Sequence, residues 1–442
     1  MSYLPNNSAS AVTQTDQKQH VVIIGAGFAG VQVARALGAA GVRATLLEQH
    51  NYHLCQPLLY QVATAALSPA DIAEPVRRML RGFASIEVLL GEVTGIDVAL
   101  RRVALAGGKS ISYGILVLAA GATHAYFGHD EWAEFAPSLK SIADARRVRS
   151  RVLLSFEQAE MSDDPAERKR LMTFAVIGGG PSGVELAGAI AELARYTLAK
   201  DFHRIDAKST TVLLLEAGPR ILAAFPEELA RYAQRKLKSL GVTVRENCPV
   251  KDMSRVSVTA GNDTLAIGVA IWAAGVEASS VAKMLGVTTD KGGRVQVNGD
   301  LSVPGLPDVY ALGDVALVLD TAGNPLPGLA QVAKQEGYYL GRSLVRKILD
   351  GAATPDFEFH NRGNAAIVGR RCAIFDFGRW RLKGRFAWLL WALVHIYLLA
   401  DFQHRLLVAV QWLWQYATYD RGARLIVEPM RRARCDRAPG GK

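Results

Sequence analysis

Glycines at fixed spacing behind an apolar run, with a carboxylate at the end of the next strand, can hold a dinucleotide, and this chain carries that arrangement twice. The first copy reads HVVIIGAGFAG from His20 to Gly30 and the second TFAVIGGGPSG from Thr173 to Gly183, both at G-x-G-x-x-G spacing. Gly25 and Gly178 permit the tight turn out of the strand. Gly27 and Gly180 let the backbone approach a pyrophosphate, and Gly30 and Gly183 let the following helix pack closely on the sheet. Phosphate charge then meets the unpaired amides and positive end of that helix. Glu48 follows Gly25 near the spacing at which an acid receives ribose hydroxyls, whereas Glu216 stands considerably farther beyond Gly178. Two dinucleotides in one chain point to a relay of electrons.

The elements that must position these residues recur in the same order. Each copy predicts strand, turn, helix and a second strand ending in the acid, TLLE at Glu48 and VLLLE at Glu216. Later in each half an apolar strand closes on Ala-Ala-Gly, in LVLAAGA up to Ala122 and IWAAGV up to Val276. Three matched landmarks amount to an internal repeat of a whole domain. The longer interval in the second copy, LARYTLAKDFHRIDAKST, predicts a lengthened helix and an added loop that leave Glu216 at its strand end. Downstream, VYALGDVA runs a strand into Gly313 and Asp314, which can lay amides and one carboxylate against a ribityl chain and pyrophosphate. GLAQVAKQEGYYLGRSL follows with helical period and places Gln331 and Gln335 at i, i+4 on one face, toward whatever docks there. If that helix begins near a flavin, its N-terminal amides stabilise negative charge on the reduced ring.

Bulk composition narrows the classes. At 442 residues the chain exceeds a single core and predicts two or three domains. Half of it is apolar and 21% charged, as in a folded protein, so disorder is expected only in the polar stretch 1–18 and at the extreme C-terminus. Cys55, Cys248, Cys372 and Cys435 form no C-x-x-C pair and no zinc spacing, which argues for a reducing compartment, against a metal centre and against a local disulfide relay. The N-terminus has no apolar core of the kind a secretion signal needs. Net charge is +10, and residues 421–442 hold seven basic side chains against two acidic ones. No nucleic-acid-binding motif accompanies them, so an anionic lipid surface fits better.

Two apolar segments, Phe386 to Ala400 and Leu406 to Tyr419, close the chain, with Arg379, Arg381, Lys383 and Arg385 just before the first. A 15-residue helix is about 22 Å long, short of a hydrocarbon core of about 30 Å, so it does not span. Four of the seven tryptophans, Trp388, Trp391, Trp412 and Trp414, fall in these segments. Basic flanks and interfacial aromatics predict two helices lying in one leaflet; ordinary core or dimer-interface helices are the alternative. His395 and His404 carry no assigned function.

In combination these features resemble the two-dinucleotide-binding flavoproteins and, more narrowly, the type II NADH dehydrogenases, single-chain NADH:quinone oxidoreductases. The strings that carry the resemblance are NYHLCQPLLYQVATAALSP, LAQVAKQEG against the family's A-Q-x-A-x-Q quinone signature, and AWLLWALVHIYLL through YDRGARLI. The resemblance implies an α/β fold with two Rossmann-like domains. A discontinuous FAD domain would cover 19–125 and 290–345, an inserted NADH domain 126–289, and a membrane-associating helical region 346–442, after a flexible tail over 1–18. It implies non-covalent FAD against Gly25, Gly27, Phe28, Ala29, Gly30, Glu48, Gln49, Val93, Ala120, Gly121, Gly313, Asp314 and Gln331. NADH would lie against Gly178, Gly180, Pro181, Ser182, Gly183, Glu185, Glu216, Ala274 and Gly275. Glu216 would favour NADH over NADPH by like-charge repulsion of a 2′-phosphate, and Arg220 would soften that preference. Glu185 matches the family's acid near the nicotinamide and flavin, against the alternative of a solvated glutamate on a helix's first turn. Gln331, Gln335 and Lys383 match the quinone side. Hydride would pass from NADH to FAD and two electrons on to ubiquinone or menaquinone without proton pumping. A homodimer on the cytoplasmic face of a bacterial inner membrane, with no nucleic-acid partner, completes the expectation.

Three competing readings stay open from the residues alone. A sulfide:quinone oxidoreductase would need catalytic cysteines, for which Cys55 and Cys372 are the candidates. A soluble reductase of ferredoxin or rubredoxin would leave Phe386 to Tyr419 without a purpose. The third, from outside enzymology, is an NADH-binding flavoprotein sensor.

Overall fold

The computed structural model describes residues 19–398, 402–418 and 421–426. The tail expected over 1–18, the basic residues from Arg431 to Lys442 and Cys435 lie outside the described residues, as does the side chain of His404. The chain divides into two compact units. The first comprises the described parts of Met1–Leu54 with Ala73–Ala125 and Gly275–Arg362; the second comprises Cys55–Ile72, Tyr126–Ala274 and the described parts of Gly363–Lys442.

A five-stranded parallel sheet forms the centre of the first unit. Its order is Ile86–Leu90, Ala44–Glu48, Val21–Ile24, Ile115–Leu118 and Val309–Ala311, so the chain's first strand is central and later strands are added on either side. That is the 3-2-1-4-5 order of a dinucleotide-binding sheet. Val21–Ile24 is buried at every position, as a strand covered on both faces must be. Helix Phe28–Ala39 covers one side and packs against helix Ala330–Asp350, and the approach is close because two glycines permit it. A Cβ on Gly337 would come within 2.3 Å of the Ala29 carbonyl oxygen, and one on Gly341 within 2.7 Å of the Ala36 Cβ.

The second unit repeats the plan with four parallel strands, in the order Val242–Arg245, Thr211–Leu215, Thr173–Ile177 and Val269–Trp272. Each repeat also inserts a three-stranded antiparallel sheet between its third and fourth strands, Val93–Asp97 to Ser110–Ser112 in one and Val250–Met253 to Asp263–Ala266 in the other. Helix Pro181–Glu192 runs on into a wider turn over Leu193–Thr197 and a short one over Leu198–Lys200. This accommodates the residues that lengthen the interval before Glu216. A three-stranded antiparallel sheet, Asn364–Ile367, Ala373–Asp376 and Arg381–Gly384, leads into helices Arg385–Leu398 and Phe402–Thr418.

Among the described residues no helix is long and apolar enough to cross a membrane. The terminal helices sort their apolar side chains. Ala387, Trp391, Val408 and Trp412 are buried, whereas Phe386, Leu389, Leu393, Leu406, Val410, Leu413 and Trp414 are exposed. Helix Phe402–Thr418 is fastened by polar bonds as well, Trp412 Nε1 donating to Gln61 Oε1 at 2.8 Å and Gln411 Nε2 to Asp71 Oδ1 at 3.4 Å. His395 stacks on Trp391 and bonds to its carbonyl, and burial pushes its imidazole down to about 4, so it stays neutral.

Candidate functional site

In the first unit the turn after Val21–Ile24 is built as tightly as the spacing predicts. Gly25 has a φ of +104°, and a Cβ there would sit 2.3 Å from the Ala119 carbonyl oxygen. A Cβ on Gly30 would lie 1.9 Å from the Gly25 carbonyl oxygen, whereas one on Gly27 would meet nothing within 4 Å. The loop is therefore closed on the sheet side and open where a phosphate would approach. Gly27 caps helix Phe28–Ala39 without a side-chain hydrogen bond, so the helix's first amides keep their donor capacity. Glu48 accepts from the Ala26 amide at 2.6 Å and from the His50 amide at 3.1 Å.

The second loop repeats this atom by atom. Gly178 has a φ of +108°, a Cβ on Gly183 would lie 1.9 Å from the Gly178 carbonyl oxygen, and one on Gly180 would meet nothing within 4 Å. Glu216 accepts from the Gly179 amide at 2.5 Å and the Gly218 amide at 2.6 Å. In both copies the acid grips the middle residue of G-x-G, which ties loop and strand end into one body. Pro181 and Ser182 open the second helix in exposed positions, Pro181 at a place where no amide is needed. Arg220 turns back to donate to the Ala223 carbonyl at 2.8 Å.

Around the first loop, Phe28 meets His53 edge-on at 5.1 Å, and His53 Nδ1 donates to the Ala26 carbonyl at 2.8 Å. Ala29 lies under Gly337, Gln49 is exposed beyond its strand, Val93 is buried at the start of its own, and Ala120 is half-buried. Gly121, with a φ of +68°, accepts from the Ser279 amide at 3.0 Å. Gly313, at +74°, donates its amide to Glu336, and Asp314 follows it. Ala274 ends one segment of the second unit, and Gly275, with a φ of +73°, begins a segment of the first.

The four residues expected to do chemistry fall in two places. Gln331 and Gln335 stand at the start of helix Ala330–Asp350 in the first unit. Gln331 Oε1 accepts from the Arg362 amide at 3.1 Å, and Gln335 bonds both to the His360 carbonyl at 3.0 Å and to its amide at 3.1 Å. What lies across that glutamine face is the chain's own 360–362 backbone. Glu185 and Lys383 belong to the second unit. Lys383 is exposed on Arg381–Gly384, paired with Glu228 and poised 5.7 Å over the Tyr232 ring.

Glu185 is buried, not solvated. Its Oε1 accepts from the Ile367 amide at 3.2 Å, and burial pushes its carboxyl up to about 8. It lines a cavity of about 100 Å³ inside the second unit, together with Tyr60, Glu192, Trp388, Trp391 and Trp412. Glu192 comes two turns later on the same helix and accepts from the Arg370 amide. Arg421 reaches it at 3.7 Å and donates to the carbonyls of Thr64 at 2.8 Å and Ala189 at 3.2 Å. Glu192, Arg421, Glu336 and His53 are the residues that spacing alone does not single out. A charged side chain inside an otherwise apolar stretch, as in AGAIAE, is the one signal that could have flagged Glu192.

Among the described residues cysteine chemistry finds no support. Cys55, Cys248 and Cys372 are buried free thiols; burial pushes the Cys55 thiol up to about 12 and raises that of Cys372, whose Sγ lies 3.6 Å from the Tyr232 hydroxyl. Neither supplies the thiolate that sulfide oxidation would require. Among the described residues no group of His, Cys, Asp or Glu could hold a metal ion.

Comparison with known proteins agrees with this geometry. Residues 19–337 match the family of pyridine nucleotide-disulphide oxidoreductases. The chain is 39% identical over 436 residues to a type II NADH:quinone oxidoreductase of Mycobacterium tuberculosis, covering 95% of this chain and 93% of that protein. It is 28% identical to the type II NADH:quinone oxidoreductase of Staphylococcus haemolyticus, over 80% of this chain and 88% of the other. Its fold is similar to that of NDH2 from Plasmodium falciparum, solved in complex with NADH, with a TM-score of 0.84 at 20% identity over 93% of this chain and all of that one. The sulfide:quinone oxidoreductase of Aquifex aeolicus follows at a TM-score of 0.69 and 19% identity, over 90% of this chain and 91% of that one. With its paired glycine loops and this degree of likeness over nearly its whole length, the chain belongs to the pyridine nucleotide-disulphide oxidoreductases and, within them, to the type II NADH:quinone oxidoreductases.

Proposed function

We propose that this protein oxidises NADH and reduces a membrane quinone, ubiquinone or menaquinone, to quinol, holding non-covalent FAD in its first unit and NADH in its second. The observation that carries the reading is the pair of loops, each closed by glycine on the sheet side, open at Gly27 or Gly180, and tied to a strand-end acid. The first loop suits FAD because the same unit adds the Gly313–Asp314 turn, which offers a second carboxylate to the ribityl chain. When bound, FAD supplies the two-electron relay between NADH and quinone. Glu216 would receive the ribose of NADH and repel a 2′-phosphate. Arg220, which donates to the neutral Ala223 carbonyl, would soften the resulting preference for NADH.

Reduction of a quinone by NADH consumes one proton, and Glu185 is placed to hold it. Oε1 is taken by the Ile367 amide, which leaves Oε2 to carry a proton at neutral pH. Tryptophan walls give the cavity around it the flat apolar faces a quinone ring needs. Lys383, Gln331 and Gln335 belong to the quinone side in this reading, the two glutamines by holding the 360–362 backbone in place. The exposed side chains from Phe386 to Trp414 form the lipid-facing surface, at the cytoplasmic face of a bacterial inner membrane and in a homodimer. In this reading the reaction moves electrons from NADH to quinone without proton pumping.

Steady-state turnover of purified, yellow protein with NADH and a short-chain quinone tests the whole reading. Gln331→Ala or Gln335→Ala should lower quinone turnover about tenfold while anaerobic flavin reduction by NADH stays near normal. Equal loss of both half-reactions would remove those glutamines from the quinone side.

A further inference from the structure

Helix Ala330–Asp350 buries one carboxyl that the proposed reaction does not use. Glu336 is 1% exposed, and its Oε2 accepts the Gly313 amide at 2.5 Å. Both partners are tightly placed. Gly313 has a φ of +74°, a conformation glycine adopts without strain, and Gly337, the residue after the glutamate, lies directly against the Ala29 backbone. The hydrogen bond therefore joins three elements of one unit: helix Ala330–Asp350, the Gly313–Val315 turn, and through Gly337 the helix that leaves the first glycine loop.

We propose that Glu336 is a positioning residue: its carboxyl fixes the Gly313–Asp314 turn for the dinucleotide, and does so best as the neutral acid. This rests on the assignment of FAD to the first unit. The charged group facing Glu336 is Asp314, on the same turn, while helix Phe28–Ala39 presents the uncharged Ala29 to this part of helix Ala330–Asp350. An ionised Glu336 would add a second negative charge beside Asp314 in a water-poor place, and the incoming dinucleotide brings two more on its phosphates. Protonated, the group still accepts the Gly313 amide through its carbonyl oxygen and adds no charge. Burial pushes this carboxyl up to about 7, so the change falls within the working range of an enzyme at neutral pH.

The test is the FAD dissociation constant of the purified holoenzyme, read from the fluorescence of flavin released on dilution between about pH 5.5 and about 8.5. Wild type should loosen its flavin by about tenfold as pH rises through neutrality, one unit of coupled protonation being worth that factor. Glu336→Gln, a neutral isostere that keeps an acceptor oxygen, should hold FAD at the wild-type low-pH level throughout and lack the step. Glu336→Ala, which removes the acceptor, should bind about tenfold more weakly at every pH. A step that persists unchanged in Glu336→Gln, or its absence from wild type, overturns the proposal. Failure of the wild-type chain to hold FAD at any pH would overturn the assignment on which it rests.

Discussion

The two glycine loops are the same object, yet the helices that leave them have different neighbours. Helix Phe28–Ala39 is covered by helix Ala330–Asp350 through backbone and small side chains, with Gly337 and Gly341 at the contact. Helix Pro181–Glu192 instead buries two carboxyls, Glu185 and Glu192, and their partners come from residues beyond 363: the Ile367 amide, the Arg370 amide and the Arg421 guanidinium. The repeated fold thus keeps the same glycine loop in both copies, while in one of them the exit helix carries buried acid groups and borders a cavity. The lesson is that in this molecule the nucleotide loop and the helix behind it are separable parts.

The largest effect should come from filling the loops. Gly30→Ala should yield colourless protein, whereas Gly183→Ala should stay yellow but lose about a hundredfold or more in the rate of anaerobic flavin bleaching by NADH, since each Cβ would strike a backbone oxygen at 1.9 Å. If both variants lose flavin, the two loops are not independent and the comparison breaks. Next in size, Glu216→Ala should raise KM for NADH by about tenfold to a hundredfold with FAD retained, because it removes both a ribose acceptor and the tie to Gly179. A selective rise for NADH with none for NADPH would sharpen the assignment further.

Quinone turnover of the wild-type enzyme should decline as pH rises through about 8, where the Glu185 carboxyl loses its proton, and Glu185→Gln should lower turnover about tenfold and abolish that decline. An identical decline in the variant would mean that another group supplies that proton. The smallest effect concerns stability. Glu185 ionises from about 4.5 in the unfolded chain but stays neutral in the folded one up to about 8. Its folded value is the higher one, so the folded state binds the extra proton and stability falls as pH rises through that window. Denaturant melts between those limits should show a shallower slope for Glu185→Gln than for wild type.

Local pattern made the two loops, the strand-end acids and the terminal helices legible, since apolar runs, glycine spacing and helical period are written over short stretches of chain. The sheet order follows from them once the repeat is seen. Contacts between distant residues leave no such trace. Arg421 and Glu192 come from opposite halves of the chain, and Trp412 reaches back to Gln61 near its start. Glu185 shows the limit well: its place early in a helix fits a solvated glutamate, and only the chain arriving at Ile367 buries it. Likewise i, i+4 spacing put Gln331 and Gln335 on one face but could not name the 360–362 backbone as what lies across it.

The sunken thiols carry a practical consequence. A sulfhydryl held at about 12, like that of Cys55, offers almost no nucleophile to alkylating reagents or peroxide at neutral pH, and Cys248 and Cys372 are shielded by the surrounding core. Drug leads aimed at this protein gain nothing from an electrophilic warhead directed at these three positions, whereas a cysteine engineered on the exposed Trp380 site would offer a reporter dye a far more reactive anchor than any of them.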